Sequence, residues 1–298
     1  MELEDARRFY AEEVRAVANL QNEALADAFA RVRREDYLGP GPWQIATPDS
    51  WQDRTQGSPA GEGYRTTPDA DPRHLYHNVL VAIDAARRLN NGQPASLATW
   101  LDALELRRGE RVVHVGCGVG YYTAIIAETV GPEGHVTGVE LDPELAARAR
   151  ANLAHLRHVE VIEADGGEYD AGAADAVFVN AGATHPRAVW LERLNEGGRL
   201  ILPLTIAKSQ DEGGGGFMLK LMREGDAYEA RFISPVSIFP CVGSRDEELN
   251  RRLREAMMRG NFASVRSLRR DAHEPAADCW FHGEGFCLSQ LQPTPEQV

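Results

Sequence analysis

The chain has 298 residues, 43% hydrophobic and 26% charged, which is enough to build a sizeable core in a globular protein. Its net charge of −13 argues against a nucleic-acid partner, because binding to phosphates draws on clustered Lys and Arg. No apolar run approaches the roughly 20 residues of a membrane span, and the charged amino terminus does not resemble a signal peptide, so we expect a cytoplasmic protein without a membrane partner.

The first third of the chain predicts a helical cap followed by a long loop. Residues 3–38 favour two helices, and the second, NEALADAFARVRREDYL, places apolar side chains on one face: Leu25, Ala28, Phe29 and Val32. Residues 39–72 are dense in Pro, Gly, Asp, Ser and Thr, a composition that excludes long regular structure. A loop of this length is either a functional lid or disordered.

A short strand and a turn then lead into the next helix. The alternating side chains of residues 75–84 (LYHNVLVAID) predict a short strand or hairpin arm. Residues 89–96 read LNNGQPAS. Ser96 stands where a helix would need its N-cap. That helix continues through Leu97, Trp100, Leu101 and Leu104.

The central block alternates strands and helices, which predicts an α/β fold with a doubly wound, mostly parallel sheet. The predicted strands cover residues 112–115, 135–140, 176–180 and 199–204, and the helices cover residues 122–129, 143–155 and 186–194. Past residue 205 we expect an antiparallel edge pair, a charged helix and short strands: residues 217–222, 228–238, 246–259 and the tail to 289. The predicted division is a cap and loop over residues 1–96, a core over 97–240 and an extension over 241–298.

A glycine-rich turn follows the first predicted strand of this block. Gly116, Gly118 and Gly120 let the backbone turn tightly against a ligand, while the next helix presents its N-terminus to a negative group. Tyr121 occupies the place where a dinucleotide fingerprint needs its last small residue, which argues against a nicotinamide or flavin cofactor.

Two carboxylates at strand ends extend this site. Glu140 ends the second strand, 24 residues after Gly116, where it can accept hydrogen bonds from both ribose hydroxyls. Asp165 follows the third strand and suits the exocyclic amine of an adenine. The alternative is that both are simply polar strand ends.

Several of these segments carry a family resemblance. The series HVGCGVGYYTA, GVELD, EADGG, FVNAGAT and LNEGGRLILPL is similar to class I S-adenosylmethionine-dependent methyltransferases. With AFARVRREDYL and NGQPAS upstream, the chain resembles the protein-L-isoaspartate O-methyltransferase family over roughly residues 27–204. The resemblance implies a Rossmann-like methyltransferase fold with a seven-stranded sheet, and S-adenosyl-L-methionine as cofactor. The donor would be held by Gly116, Cys117, Gly118, Gly120, Tyr121, Glu140, Leu141, Asp165, Gly166 and Asn180.

The resemblance also implies an acceptor site. In the family, a Thr-Ile-Ser segment after Gly-Gln lies beside the methyl donor and the substrate carboxylate. Here Gly92 and Gln93 match, Ser96 takes the place of the serine as the catalytic residue, and Pro94 and Ala95 replace the other two. We also expect three residues to bind substrate: His77, Asn78 and Gln93.

The leading hypothesis is a carboxyl O-methyltransferase that acts on an L-isoaspartyl or aspartyl side chain of a protein or peptide, a protein-repair activity. A carboxylate is already ionised at neutral pH, so the reaction needs positioning rather than a general base. One alternative acceptor is a small molecule or a modified natural-product peptide, which the altered NGQPAS segment and the extra carboxy-terminal region permit. A second alternative is a non-catalytic accessory protein that binds S-adenosylmethionine.

No metal site is expected. The four cysteines lack a CxxC pair, which favours a reducing compartment. Cys279, His282 and Cys287 in CWFHGEGFC could be three ligands, but no fourth is near and the spacing fits a hairpin. Cys117 is interpreted as a small packed side chain, and His114 as a core histidine.

Overall fold

A computed structural model describes residues 2–47, 63–87, 89–207 and 214–293. The chain begins with three helices, α1 (Leu3–Ala18), α2 (Glu23–Arg31) and the single turn α3 (Glu35–Leu38). The two predicted helices are therefore confirmed, but the second divides because Val32 adopts an extended conformation as the C-cap of α2. Its predicted apolar face is buried.

The predicted long loop contains short paired segments. Strands β1 (Gln44–Ala46) and β2 (Tyr64–Thr66) pair antiparallel, and a 3-10 helix follows at Pro72–Leu75. Residues 48–62, in the middle of the predicted lid or disordered segment, lie outside the described residues. The predicted strand shortens to β3 (Ala82–Asp84), which pairs with β4 (Leu89–Asn90).

The next helix, α4 (Pro94–Ala103), starts three residues earlier than expected. Gln93 is its N-cap residue, and Pro94 takes the first helical position, where its missing N–H and fixed φ are favourable. The prediction that Ser96 is the N-cap was therefore wrong. Ser96 lies inside the first turn, which leaves its hydroxyl free of a capping role.

The β-α-β unit and the strands after it form as predicted, with small shifts at their ends. The bounds are β5 (Arg111–Val115), α5 (Tyr121–Val130), β6 (His135–Glu140), α6 (Pro143–Leu153), β7 (Val159–Glu163) and β8 (Ala174–Val179), then α7 (Ala188–Glu192), β9 (Leu194–Ile206), β10 (Gly214–Glu224) and β11 (Ala227–Ile238). Strands β7, β6, β5, β8 and β9 are parallel neighbours. Because the chain winds outward in both directions from β5, a crevice forms at the carboxyl ends of β5 and β8, where such folds bind ligands.

The helix predicted over residues 186–194 is shorter than expected. Leu194 already pairs with Ala174 in the sheet, and the glycines expected to end the helix lie within β9. The register shifts between Ala174 and Ala176, so the glycine segment forms an irregularity in the strand. Gly197 adopts a φ of 68°, a conformation that glycine reaches without steric cost.

The carboxy-terminal region widens the sheet. After α8 (Glu247–Arg259) and a 3-10 turn (Phe262–Ser264), strands β12 (Ser267–Arg269), β13 (Cys279–Gly283) and β14 (Phe286–Ser289) join it. The order is β13-β14-β12-β11-β10-β9-β8-β5-β6-β7, so strands of the predicted carboxy-terminal extension widen the seven strands β5–β11 to ten described strands. Strands β10 and β11 are therefore interior, because β12 pairs with the free side of β11.

Two apolar clusters hold these layers together. One joins the amino-terminal helices, α4, α5 and α6, and the other joins α7, α8 and the carboxy-terminal strands. The predicted domain division stays a prediction, and α4 spans its first boundary. Within the described residues, no helix is both long and apolar enough to cross a membrane.

Buried polar contacts fasten the amino-terminal helices to the core. The Tyr10 and Tyr121 hydroxyls lie 3.1 Å apart, and the fully buried Arg34 contacts the rings of both tyrosines. The Arg34 guanidinium also donates to the carbonyls of Leu75, His77 and Val79. Tyr121 therefore joins the two parts of the structure, which explains a large aromatic where a dinucleotide fold needs a small residue.

Candidate active site

A cavity of about 790 Å³ opens at the carboxyl ends of β5, β6 and β8. The loops after these strands, the start of α4 and residues 235–242 line it. Most of the residues expected to bind donor or acceptor are among the lining: Gln93, Ser96, Gly116, Cys117, Gly118, Tyr121, Glu140, Leu141, Gly166 and Asn180. These predicted residues therefore surround one connected cavity.

The three glycines of the loop after β5 serve different purposes. All have positive φ, at 74° for Gly116, 57° for Gly118 and 90° for Gly120. A Cβ on Gly118 would meet no atom within 4 Å, so the backbone at Gly118 faces open space. A Cβ on Gly120 would lie 2.7 Å from Leu153, so this glycine is needed for the close packing of α5 on α6 rather than for lining the cavity.

Glu140 is positioned by backbone on both sides. The N–H of Gly118 donates to Oε2 at 2.8 Å, and the N–H of Asp142 donates to Oε1 at 3.0 Å. Each carboxylate oxygen accepts about two hydrogen bonds, so each can still accept one from a ligand. This leaves two adjacent acceptors in the cavity, the arrangement that a vicinal diol requires.

The charged side chains that line the cavity do not fully neutralise one another. Among the described lining residues, Arg87, Glu140 and Asp142 are the charged ones, and Arg87 forms an ion pair with Asp142. Glu140 makes no ion pair within the described chain. The cavity therefore carries an unneutralised negative charge, which favours a cationic ligand.

The acceptor-side residues predicted from sequence separate into two groups. Ser96 and Gln93 line the cavity, and within the described chain the Ser96 hydroxyl has no hydrogen-bond partner. Asn78 lies outside the lining, because its Oδ1 accepts from the N–H of Ala95 at 2.9 Å and so caps α4. His77 also lies outside it. This corrects the expectation that His77 and Asn78 line the acceptor pocket.

Asp165 is covered rather than open to the cavity. Its Oδ1 accepts from the N–H of Gly167 at 2.8 Å, and a Cβ on Gly243 would lie 2.0 Å from Oδ2. The segment after β11 therefore passes directly over this carboxylate. Asp165 is therefore not among the lining residues, whereas its neighbour Gly166 is, and the contact of Asp165 with an adenine stays a prediction.

Two buried polar groups that sequence reasoning missed also belong to the lining. The Asn91 Nδ2 and the Tyr122 hydroxyl are buried and have no hydrogen-bond partner in the described chain. A buried polar group without a partner is costly, so a ligand that bonds to it gains affinity. Both residues lie in segments that the sequence singled out, NNGQPAS and GYYTA, but nothing in the pattern separated them from their neighbours.

The wall formed by residues 235–242 is mostly apolar. None of these residues was predicted from the sequence to line the site. Val242 is 58% exposed, and Leu141 across the cavity is 44% exposed. Exposed apolar side chains at a cavity rim are suited to covering the flat face of a ligand. The periodicity of β11 predicts a strand but gives no sign that its end returns to the glycine loop.

The histidine and the cysteine nearest the loop, His114 and Cys117, are neutral at neutral pH. Burial lowers the pKa of His114 to about 3, and its ring stacks on Phe178. Burial, together with the charge of Glu140, raises the pKa of the Cys117 thiol. A Cβ on Gly138 would lie 3.2 Å from the Cys117 sulfur, so the thiol packs closely against β6. Neither group can serve as an ionised base or nucleophile, and the cavity offers positioning instead.

Comparison with known proteins agrees with this geometry. Residues 68–215 match the family model "Protein-L-isoaspartate(D-aspartate) O-methyltransferase (PCMT)". A protein-L-isoaspartate O-methyltransferase of Ignicoccus hospitalis is 35% identical over 175 residues, 57% of this chain and 80% of that protein. One of Methylorubrum populi is 32% identical over 244 residues, 80% of this chain and 96% of that protein. The chain belongs to the protein-L-isoaspartate O-methyltransferase family.

Solved structures support the methyltransferase fold. A protein-L-isoaspartate O-methyltransferase superposes with a TM-score of 0.56 at 20% identity, over 83% of this chain and 70% of that one. A putative family member from Plasmodium falciparum, solved with S-adenosyl-L-homocysteine, gives 0.57 at 16% identity, over 79% and 97%. The predicted Rossmann-like fold is confirmed, and the three added strands lie outside the matched family segment.

The family match divides the cavity. Ser96, the glycine loop and Glu140 lie within residues 68–215, whereas the wall of residues 235–242 lies beyond them. Residues matched by the family model thus supply one side of the site, and residues beyond that match supply the remaining wall.

Proposed function

We propose that the chain transfers a methyl group from S-adenosyl-L-methionine to the carboxylate of an L-isoaspartyl or aspartyl side chain in a protein or peptide. The observation that carries this proposal is the placement of Ser96. Its hydroxyl, on the first turn of α4 and without a hydrogen-bond partner among the described residues, shares one cavity with the glycine loop and with Glu140. Family membership supports the same activity.

The residues present fit the donor. Each oxygen of Glu140 has one free acceptor position, which suits the two ribose hydroxyls of the donor. The open backbone at Gly118 leaves room for the donor to lie against it. The unneutralised charge of Glu140 favours a cationic sulfonium compound. When bound, the donor supplies an electrophilic methyl group. Leu141 and Val242 would cover its flat base from the two rims.

Ser96 would hold the acceptor carboxylate through its hydroxyl. The N-terminus of α4 adds a partial positive charge beside it, which favours an anion. Because the carboxylate is already the nucleophile, alignment is what the protein must provide, and alignment can lower a barrier by on the order of 7–11 kcal/mol. The neutral states of His114 and Cys117 agree with a reaction that needs no base.

The direct test incubates the purified chain with methyl-labelled donor and a peptide containing one L-isoaspartyl residue, with the matching L-aspartyl and asparaginyl peptides alongside. We expect base-labile label on the isoaspartyl peptide and none on the asparaginyl peptide. Ser96→Ala should lower kcat about 100-fold with an unchanged donor Kd, and Ser96→Thr, which keeps the hydroxyl, should restore part of it. Donor binding without any base-labile ester on peptide would overturn the proposal.

A second acceptor class is favoured by one observation. Pro94 and Ala95 replace residues of the family's acceptor motif. Pro94 and Ala95 lie directly beside Ser96, so the acceptor could instead be a small carboxylate or a modified peptide. Labelling of a panel of small carboxylates and constrained peptides, with no labelling of linear isoaspartyl peptides, would favour this class.

A further inference from the structure

Four potential metal ligands meet at the outer edge of the sheet, far along the chain from the glycine loop. His282 and Cys287 are directly opposite each other on β13 and β14, and Cys279 begins β13. His273, from the loop before β13, completes the group, and its Nε2 lies 3.5 Å from the Cys279 sulfur. One ligand atom from each of the four residues lies within 4.8 Å of the others.

The fourth member corrects the sequence interpretation. Cys279, His282 and Cys287 were recognised as three possible ligands, and the absence of a nearby fourth argued for a simple hairpin. His273 lies six residues before Cys279 in DAHEPAAD, a segment without regular pattern. Only the path of this loop back over the hairpin brings its imidazole to the two cysteines, so spacing alone could not reveal it.

Two of the four ligands are oriented by contacts outside the cluster. The Nδ1 of His273 lies 2.9 Å from the backbone carbonyl of Asp271 and 3.2 Å from its carboxylate. These contacts hold the proton on Nδ1 and leave Nε2 with a free lone pair toward Cys279, as in metal-binding histidines. The N–H of Ala276 donates to the Cys279 sulfur at 3.3 Å, which stabilises a thiolate.

A second, independent observation points to a missing partner. The His282 Nδ1 is buried and has no hydrogen-bond partner in the described chain. Its ring centroid lies 4.8 Å from that of His273, so the two imidazoles are neighbours. His273 nevertheless makes no hydrogen bond to this buried nitrogen. A buried polar atom left in this way calls for a ligand.

We propose that His273, Cys279, His282 and Cys287 bind one zinc ion in a closed tetrahedral site. Two sulfur and two nitrogen ligands in a tetrahedral arrangement are the donor set that selects zinc. Zinc–ligand bonds of about 2.0–2.3 Å place tetrahedral ligand atoms roughly 3.3–3.8 Å apart, so the group closes on the ion with shifts of about 1 Å. Binding converts both thiols to thiolates and releases two protons to solvent.

The site is structural rather than catalytic. All four coordination positions are filled by protein, so none is open to a substrate. None of the four residues lines the active-site cavity. The ion would join the loop at His273 to the β13–β14 hairpin, on which α8 packs. Zinc would thereby add to the apolar packing that holds this edge hairpin, in which Trp280, Phe281 and Leu288 are buried.

The test measures metal in the full chain, purified without a histidine tag and kept reduced. We expect about one zinc per chain by elemental analysis. After replacement by Co²⁺, we expect the visible bands of tetrahedral cobalt and a sulfur-to-cobalt charge-transfer band. Removal of the metal should lower the Tm by at least about 5 °C and leave the donor Kd within about twofold.

Matched variants test whether zinc binds at these four residues rather than at other thiols and imidazoles of the chain. Cys279→Ser and His273→Asn should abolish stoichiometric zinc, whereas Cys241→Ser and His155→Asn should keep it. Should a variant fail to fold, the cobalt spectrum of the unaltered chain still decides. A reduced chain that holds less than about a tenth of an equivalent of zinc after reconstitution would overturn the proposal. So would a chain in which Cys279 and Cys287 form a disulfide and no metal binds after reduction.

Discussion

The Glu140 carboxylate is fixed by two backbone N–H groups, and this makes it the residue on which donor binding depends most. In Glu140→Gln, the amide NH₂ would face an N–H donor, and the negative charge would be lost. Hydrogen bonds to charged groups contribute about 1.5–3 kcal/mol each, so we expect the donor Kd to rise at least tenfold. Isothermal titration with donor and with demethylated donor measures this.

The control for this variant is Glu144→Gln, which removes an exposed carboxylate at the start of α6. We expect its donor Kd to stay within twofold of the unaltered chain. Equal losses in both variants would mean that overall charge, rather than the two acceptor positions of Glu140, governs donor affinity.

His114 makes the stability of the protein sensitive to acid. Its pKa is about 3 in the folded chain and 6.5 in the unfolded chain, so between these values the unfolded state binds more protons. The free energy of unfolding therefore falls as the pH falls through this window, by up to about 1.4 kcal/mol per pH unit from this residue.

The measurement is urea unfolding between about pH 4 and pH 6. His114→Gln should have a shallower pH dependence than the unaltered chain, since glutamine does not titrate. His155→Gln, which removes an exposed imidazole, should keep the original slope. Parallel curves for all three proteins would contradict the assignment.

At the scale of elements, the position of α4 depends on a cap supplied from elsewhere in the chain. Asn78 accepts from the N–H of Ala95, next to Ser96, and loss of such a cap costs about 0.5–2 kcal/mol. We expect Asn78→Ala to lower stability by this amount and also to lower kcat, because the first turn of α4 carries Ser96. Chemical denaturation and peptide methylation are the two measurements.

A second cap provides the comparison. Asn22 accepts from the N–H of Leu25 and caps α2, away from the cavity. Asn22→Ala should cost a similar amount of stability and leave kcat unchanged. If both variants lose activity in proportion to stability, Asn78 has no specific effect on Ser96.

The alternating core elements could be predicted from the sequence because their signals are local. The buried strands β5 and β6, the glycines between β5 and α5, and the acid at the end of β6 each follow from period and turn chemistry. The cap of α4 could not be predicted in the same way. Proline at the first helical position makes the helix begin earlier, and the capping side chain, Asn78, lies 17 residues before the N–H that it caps. The pairing that joins the three carboxy-terminal strands to β11 could not be predicted either, because edge pairing of short segments is not encoded within them.

The same distinction applies to the candidate site. Residues at strand ends were found, because parallel strands bring their carboxyl ends to one edge. The covering of Asp165 by Gly243, the orphaned Asn91 amide and the approach of His273 to the cysteines were missed. Each of these depends on where a loop returns, which no periodic pattern records.

At the scale of the whole molecule, one close contact holds the carboxy-terminal region against the donor side. Gly243 has a φ of +83°, and any side chain there would meet the Asp165 carboxylate. In Gly243→Ala, we expect the positive φ to cost about 1–2 kcal/mol and the clash to displace the wall of residues 235–242. The donor Kd should rise about tenfold, measured by calorimetry.

Gly260→Ala isolates the effect of the clash. Gly260 also has a positive φ, of +69°, but an added Cβ would meet nothing within 4 Å. This variant should lose comparable stability from the backbone alone and keep its donor affinity. Weakened donor binding in Gly260→Ala would show that general destabilisation, not the wall, explains the result for Gly243→Ala.

The division of the cavity between the family segment and the later wall has a consequence for how this protein can change. Substitutions at residues 235–241 can alter the shape of the cavity while Ser96, the glycine loop, Glu140 and the Val242 side chain expected to cover the donor stay as they are. Selection can therefore act on acceptor choice at one stretch of chain without reinventing methyl transfer. Exchanging this stretch among relatives is accordingly a direct way to redirect the enzyme to new carboxylates.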